Sequence, residues 1–159
     1  MKTLLLMRHG TAGWDPSDVP DHERRLTRDG RDAAAKVAAD LAAGDLRPDR
    51  IFTSTATRTL ETARIVAGVF RSPPPILARR ALYLADPARC VAVLAGCPDE
   101  SPTLCLVGHN PGLAQVVTRL AGENVSFSPA CCVEIAVSIE VWSALEASSG
   151  AKIVTRRRP

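Results

Sequence analysis

No run of apolar residues in this sequence approaches the length of a membrane span. The apolar stretch near the start, residues 3–7, is too short for the apolar region of a secretory leader, and no small-residue cleavage site follows it. The five cysteines contain no CxxC pair and no disulfide-like spacing, so they read as reduced, mostly buried thiols. There is no internal repeat and no HExxH metal motif. A formal net charge of only +3 is too small to imply a nucleic acid or a membrane surface as partner. A mildly positive cleft would still attract an anionic substrate. These absences point to a cytoplasmic globular protein, and 159 residues suit one domain spanning 1–159. Such a length buries enough surface to need no disulfide or metal staple.

What is present is an alternation of strand and helix signals. Residues 3–7, 50–53 and 103–107 are short apolar runs of the kind that form buried strands. Thr27 is placed to cap a helix over 27–43, because Ala34, Val37, Ala38 and Leu41 recur at helical spacing and Gly44 offers a stop. Ser54 or Thr55 is expected to cap a second helix, in which Leu60, Ala63, Ala67 and Phe70 keep the period. A weak strand is expected at 75–78, a helix at 86–95 and late strands at 131–137 and 152–156. Asn110 is expected to cap a further helix with Pro111 at its first position and Gly122 at its end. Adjacent Cys131 and Cys132 should point to opposite faces of their strand, and Arg156, Arg157 and Arg158 read as a solvated tail. The alternation implies an α/β three-layer sandwich with a central, largely parallel sheet flanked by helices.

Three junctions carry unusual residues: Arg8-His9-Gly10 after the first strand, the turn leading to Arg58 after the second, and Gly108-His109-Asn110-Pro111-Gly112 after the 103–107 strand. In open α/β sheets, ligands bind outside the carboxyl ends of the strands, so these segments can meet at one site. Arg8 and Arg58 each offer a planar donor fork to phosphate oxygens. Helix N-termini near Ser54 and Asn110 add backbone N–H groups. His9 in that setting can act as a nucleophile, and a protonated His109 would add a donor. Taken singly, each residue has an ordinary structural explanation; their joint placement at strand ends argues for a phosphate site. His22, in a polar loop, reads as structural or solvated.

The same segments resemble the histidine phosphatase superfamily, and more narrowly its small SixA-like phosphohistidine phosphatases. The resemblance rests on residues 4–10, on Asp21-His22-Glu23-Arg24-Arg25-Leu26-Thr27 with Gly30, and on Ser54-Thr55-Ala56-Thr57-Arg58-Thr59 with Thr62-Ala63. Leu82-Tyr83 with Ala85, and residues 107–113, complete it. It implies a phosphoglycerate-mutase-like fold, His9 as nucleophile through a phosphohistidine intermediate, a phosphate pocket of Arg8, Arg58 and His109, and neither metal nor organic cofactor. It also implies a phosphorylated protein or a small phosphorylated molecule as partner, with a role in signal transduction. The chain is too short for the large site-covering insertions of bigger relatives. Asp21 stands where the SixA-like motif has an aspartate and is the first candidate proton donor, with Asp15, Asp18 and His22 on the same stretch. Thr11 departs from several SixA-like sequences, which have a basic residue shortly after the motif histidine.

Three other readings compete. A phosphatase for small phosphoesters would share the mechanism, but alkyl phosphates have poor leaving groups and need a working general acid. A protonated phosphohistidine needs less help, so an ill-defined acid leans toward the phosphoramidate. A non-catalytic phosphoprotein-binding module would be free to lose His9, which this chain retains. A metal hydrolase using His9, His22 and His109 ranks last, because Arg8 would repel the cation.

Overall fold

A computed structural model of the chain describes residues 1–13 and 19–159. Among the described residues, six strands form one sheet: β1 (Lys2–Arg8), β2 (Arg50–Thr53), β3 (Ile76–Ala78), β4 (Thr103–Gly108), β5 (Cys132–Val137) and β6 (Lys152–Arg157). Their order is β3-β2-β4-β1-β5-β6. The first four run parallel, β5 is antiparallel to β1, and β6 is antiparallel to β5. Four helices cover the faces: α1 (Arg28–Ala43), α2 (Thr57–Gly68), α3 (Pro87–Ala95) and α4 (Gly112–Ala121).

The period-two alternation of side chains divides the apolar strand residues between two cores. Leu4 and Leu6 of β1, with Leu104 and Leu106 of β4, face Val91 and Leu94 of α3 and Leu113, Val116, Val117 and Leu120 of α4. Leu5 and Met7, with Cys105 and Val107, face Val37 and Leu41 of α1 and Ala63 and Val66 of α2. The sheet is thus packed on both sides, as the alternation of elements predicts. Cys131 falls in the first core and Cys132 in the second, so the adjacent pair does point opposite ways. All five cysteines are buried free thiols.

Local signals placed α1 and α3 well. The Thr27 hydroxyl accepts the Gly30 N–H at 2.9 Å, and the Asp86 carboxylate accepts that of Arg89 at 2.7 Å. Four details differ from the sequence reading. Helix α2 begins after Ala56 rather than Ser54 or Thr55, and no side chain caps it. It closes at Gly68, so Phe70 lies beyond it. Helix α4 begins after Pro111, and Asn110 donates to the Phe127 carbonyl at 3.2 Å instead of capping. Arg156 and Arg157 lie within β6 and pair with Glu123 and Glu134, each at 2.9 Å, because closing the sheet brings acidic groups beside them. Short 3₁₀ turns at Asp21–Glu23, Arg80–Leu82 and Trp142–Ala147 were not foreseen.

The register brings the chemistry together. Met7 of β1 and Thr53 of β2 both align with Val107 of β4, which lies between them. The chain therefore leaves the sheet at neighbouring points as Arg8-His9, Ser54 and His109. Just beyond β1, Gly10 crosses the first turn of α1 at Gly30, and a Cβ at either glycine would overlap backbone of the other segment. Only glycine permits that approach, which seats His9 at the end of the strand.

Candidate active site

A cleft of about 290 Å³ opens at the carboxyl ends of β1, β2 and β4, lined by Arg8, His9, Arg58, His109 and Asn110 among others. Four of the five residues expected to act together, Arg8, His9, Arg58 and His109, line this one space, and the fifth, Asp21, holds Arg58 from beside it. The imidazoles of His9 and His109 meet edge to face, with centroids 5.3 Å apart.

His9 is oriented by its own backbone neighbour. Its Nδ1 lies 2.7 Å from the carbonyl of Gly10, which accepts only, so Nδ1 carries the proton. Nε2 is left with its lone pair, facing the Arg58 Nε–H at 3.3 Å. Burial is the main force holding His9 down, to about 4, and the charges of Arg58, Arg8 and Arg24 add to it against the opposing Gly10 bond. The ring is therefore neutral near pH 7, with its free nitrogen toward the cations.

Arg58, in the first turn of α2, is only 3% exposed. Its guanidinium donates to the Asp21 carbonyl at 2.5 Å and to the Asp21 carboxylate at 2.9 Å, and lies 3.5 Å from His109 Nδ1. Arg8 donates to the Phe127 carbonyl at 2.8 Å, while its buried Nε has no hydrogen-bond partner among the described residues. A buried guanidinium N–H without an acceptor beside two imidazoles and a second arginine is suited to an incoming oxyanion.

His109 is held by a relay. An Arg58 donor at Nδ1 leaves the ring proton on Nε2, which reaches the Ser54 hydroxyl at 2.8 Å. Ser54 in turn meets the Thr59 hydroxyl at 2.6 Å, and Thr59 donates to the Ala56 carbonyl at 2.9 Å. Ser54 and Thr59 are fully buried. Burial first, then the neighbouring His9 and Arg58, hold His109 down to about 3. His109 is therefore neutral near pH 7, and the donor role expected of its protonated form calls for a dianion that draws a proton to Nδ1.

Asp21, the first candidate proton donor, is held by three side chains. Its carboxylate accepts the Tyr83 hydroxyl at 2.5 Å and guanidinium N–H groups from Arg58 and Arg24, each at 2.9 Å. The Tyr83 bond above all, then those from Arg58 and Arg24, holds it well below the usual carboxylate range. The carboxylate so engaged stays ionised near neutral pH and holds the Arg58 guanidinium in place. Asp15 and Asp18 lie outside the described residues. His22 Nε2 pairs with the Thr55 hydroxyl at 2.8 Å and its ring packs edge-on to Tyr83, a structural setting.

Sequence reasoning missed two participants. Ser54 passed for a helix cap, although its place one residue beyond β2 matches those of the other site residues. Tyr83, the chain's one tyrosine, touches Asp21 through its hydroxyl and His109 through its ring, centroids 5.5 Å apart. Among the described residues no group of three or more His, Cys, Asp or Glu could hold a metal ion, and no helix is long and apolar enough to cross a membrane.

Comparison with known proteins identifies the family and the fold. A profile of the histidine phosphatase superfamily (branch 1) matches residues 4–82. An uncharacterized protein of Mycobacterium tuberculosis is 31% identical over 123 residues, 76% of this chain and 75% of that protein. An uncharacterized chloroplastic protein of Arabidopsis thaliana is 28% identical over 159 residues, 94% of this chain and 72% of that protein. Among solved structures, one from Nakamurella multipartitia, provisionally assigned as phosphohistidine phosphatase SixA, superposes with a TM-score of 0.88 at 27% identity, covering 99% of this chain and 96% of that one. The protein histidine phosphatase SixA complexed with tungstate shares the fold, with a TM-score of 0.82 at 20% identity over 98% of this chain and 96% of that one.

Proposed function

The chain belongs to the histidine phosphatase superfamily and is a phosphatase, and from that premise we propose that it hydrolyses phosphorylated protein side chains, phosphohistidine foremost, through His9 in the cytoplasm. The observation that carries the reading is His9 itself. Its Nδ1 proton is tied to the Gly10 carbonyl, and its Nε2 lone pair faces the arginine-lined cleft.

The phosphoryl oxygens take donors from Arg8, Arg58 and the backbone around His109. The dianion raises the proton affinity of His109 Nδ1, which then becomes a further donor. His9 Nε2 forms a bond to phosphorus as the bond to the substrate nitrogen or oxygen breaks; an imidazole protonated at its other nitrogen departs neutral with the lone pair of the broken bond, whereas a departing oxygen takes its proton from water. Water then attacks the phosphorus, the P–N bond to His9 breaks, and phosphate leaves with His9 neutral again. Positioning and charge neutralisation do most of the work in such transfers. Arg8 and Arg58 supply the positive charge, so no metal enters the scheme.

Asp21 bears on the substrate class. Engaged by Tyr83, Arg58 and Arg24, it orients Arg58 and has no proton for a leaving group. An alkyl oxygen departs poorly without one, whereas an imidazole already protonated at its other nitrogen departs readily. That favours phosphohistidine over small alkyl phosphoesters.

The test is trapping. A radiolabelled phosphohistidine peptide, quenched in alkali, should leave label on the parent that is stable to alkali and lost in acid. His9→Ala should carry no label and have no turnover. Near-normal turnover by that variant would refute the covalent route, and faster turnover of small alkyl phosphates than of phosphohistidine peptide by the parent would refute the substrate assignment.

A further inference from the structure

We infer that Leu84 determines specificity on the leaving-group side, selecting phosphoryl groups borne on a flat ring; this rests on the phosphatase reading and deepens it. The cleft has two tiers. Its floor is polar, built from Arg8, His9, Arg58, His109 and Asn110, while three apolar side chains, Ala12, Leu84 and Pro129, also line it. Leu84 is the most exposed of these, at 57%. Thr11 and Arg24 are the polar groups beside them, and Arg24 is turned toward the Gly13 and Ala12 carbonyls and Asp21.

The backbone at Leu84 is what singles it out. Its φ is 49°, a left-handed conformation that disfavours side chains and suits glycine. The turn is held there from both sides. Leu82 is buried in the core and the Tyr83 hydroxyl is bound to Asp21. On the other side, the Ala85 carbonyl packs so closely on Gly112 that no Cβ fits there, and Asp86 caps α3. Stability alone would place glycine at this position and would not place an exposed leucine there. A strained, exposed apolar side chain at the mouth of a phosphate cleft has a use when substrate covers it. A planar ring bearing phosphoryl at its edge can reach the polar floor while its face lies on Leu84 and Pro129. A polyhydroxylated leaving group would lose water against the same surface without replacing its hydrogen bonds.

Two sources share this chemistry, an imidazole-borne and a phenol-borne phosphoryl group. Binding of phenylphosphonate, methylphosphonate and vanadate, none of which has a leaving group to expel, would be measured by calorimetry on the parent, Leu84→Gly and Leu84→Met. Leu84→Gly should weaken phenylphosphonate by about fivefold, the order expected from partial burial of one leucine. It should leave methylphosphonate and vanadate unchanged and should not lower the melting temperature. Leu84→Met should keep the phenyl preference. Turnover of phosphohistidine, phosphotyrosine and phosphoserine peptides then separates the sources: the Gly variant should lose on the ring-borne peptide that the parent prefers and not on phosphoserine. Equal weakening of both phosphonates, or a phenyl preference that survives Leu84→Gly, would overturn the inference while leaving the phosphatase reading intact. A parent that bound none of the three anions would overturn both.

Discussion

Ser54→Ala removes one oxygen that holds three partners. Ser54 Oγ lies 2.8 Å from His109 Nε2 and 2.6 Å from Thr59 Oγ1, and accepts the Ala56 N–H at 3.2 Å, all in buried surroundings. Each buried donor left unmade costs about 1–3 kcal/mol. Thr59 keeps its bond to the Ala56 carbonyl, so the two orphaned donors, on His109 and Ala56, set the scale at about 2–6 kcal/mol of unfolding free energy, read by urea titration. The catalytic loss has a separate ceiling. Deleting a preorganised donor to the reacting group costs about 10²–10³ in rate. Ser54→Ala leaves the imidazole present but free to turn, so kcat on an aryl phosphate should fall by about 10- to 100-fold, less than in His109→Ala. The decisive measurement is the double-mutant cycle. If Ser54 acts through His109, adding Ser54→Ala to His109→Ala should cost little further activity while still costing stability. An undiminished loss in that background would refute the relay.

Two further outcomes follow from the site. Asp21→Asn should lower kcat/KM by about tenfold on aryl, alkyl and phosphohistidine substrates alike, because a neutral amide holds Arg58 less well; a loss confined to alkyl phosphates would restore Asp21 as the proton donor. His9 and His109 are held down to about 4 and about 3, below the usual 6.5. Between pH 6.5 and about 4 the unfolded chain takes up protons that the folded chain refuses, so stability should fall as pH drops through that window. Each such histidine contributes up to about 1.4 kcal/mol per pH unit. Urea midpoints from about pH 7 to 5 should show the slope, and His109→Ala should remove about one proton's share; an unchanged slope in that variant would refute it.

Much of the fold was legible because its causes are local. The apolar runs ending at Met7, Thr53 and Val107 are strands because their side chains fill both faces of a covered sheet. Thr27 and Asp86 cap helices through bonds to N–H groups three residues on. Arg8, His9, Arg58 and His109 could be paired with phosphate chemistry from residue type and from position after a strand. The apparent caps Ser54 and Asn110 misled for the opposite reason: their side chains had better partners far along the chain, His109 and the Phe127 carbonyl.

Only the tertiary structure decided how those residues act on one another. The strand order set β4 between β1 and β2, which put Ser54 beside His109 across 55 residues of chain. It brought Tyr83 to Asp21 across 62 residues and set the Asp21 carboxylate against Arg58. Burial, which no local pattern reports for a histidine, kept both imidazoles neutral. Residue type determines which groups can bind phosphate or give up a proton. The electrostatic surroundings that set their protonation come from neighbours distant in sequence, and those exist only once the sheet is assembled.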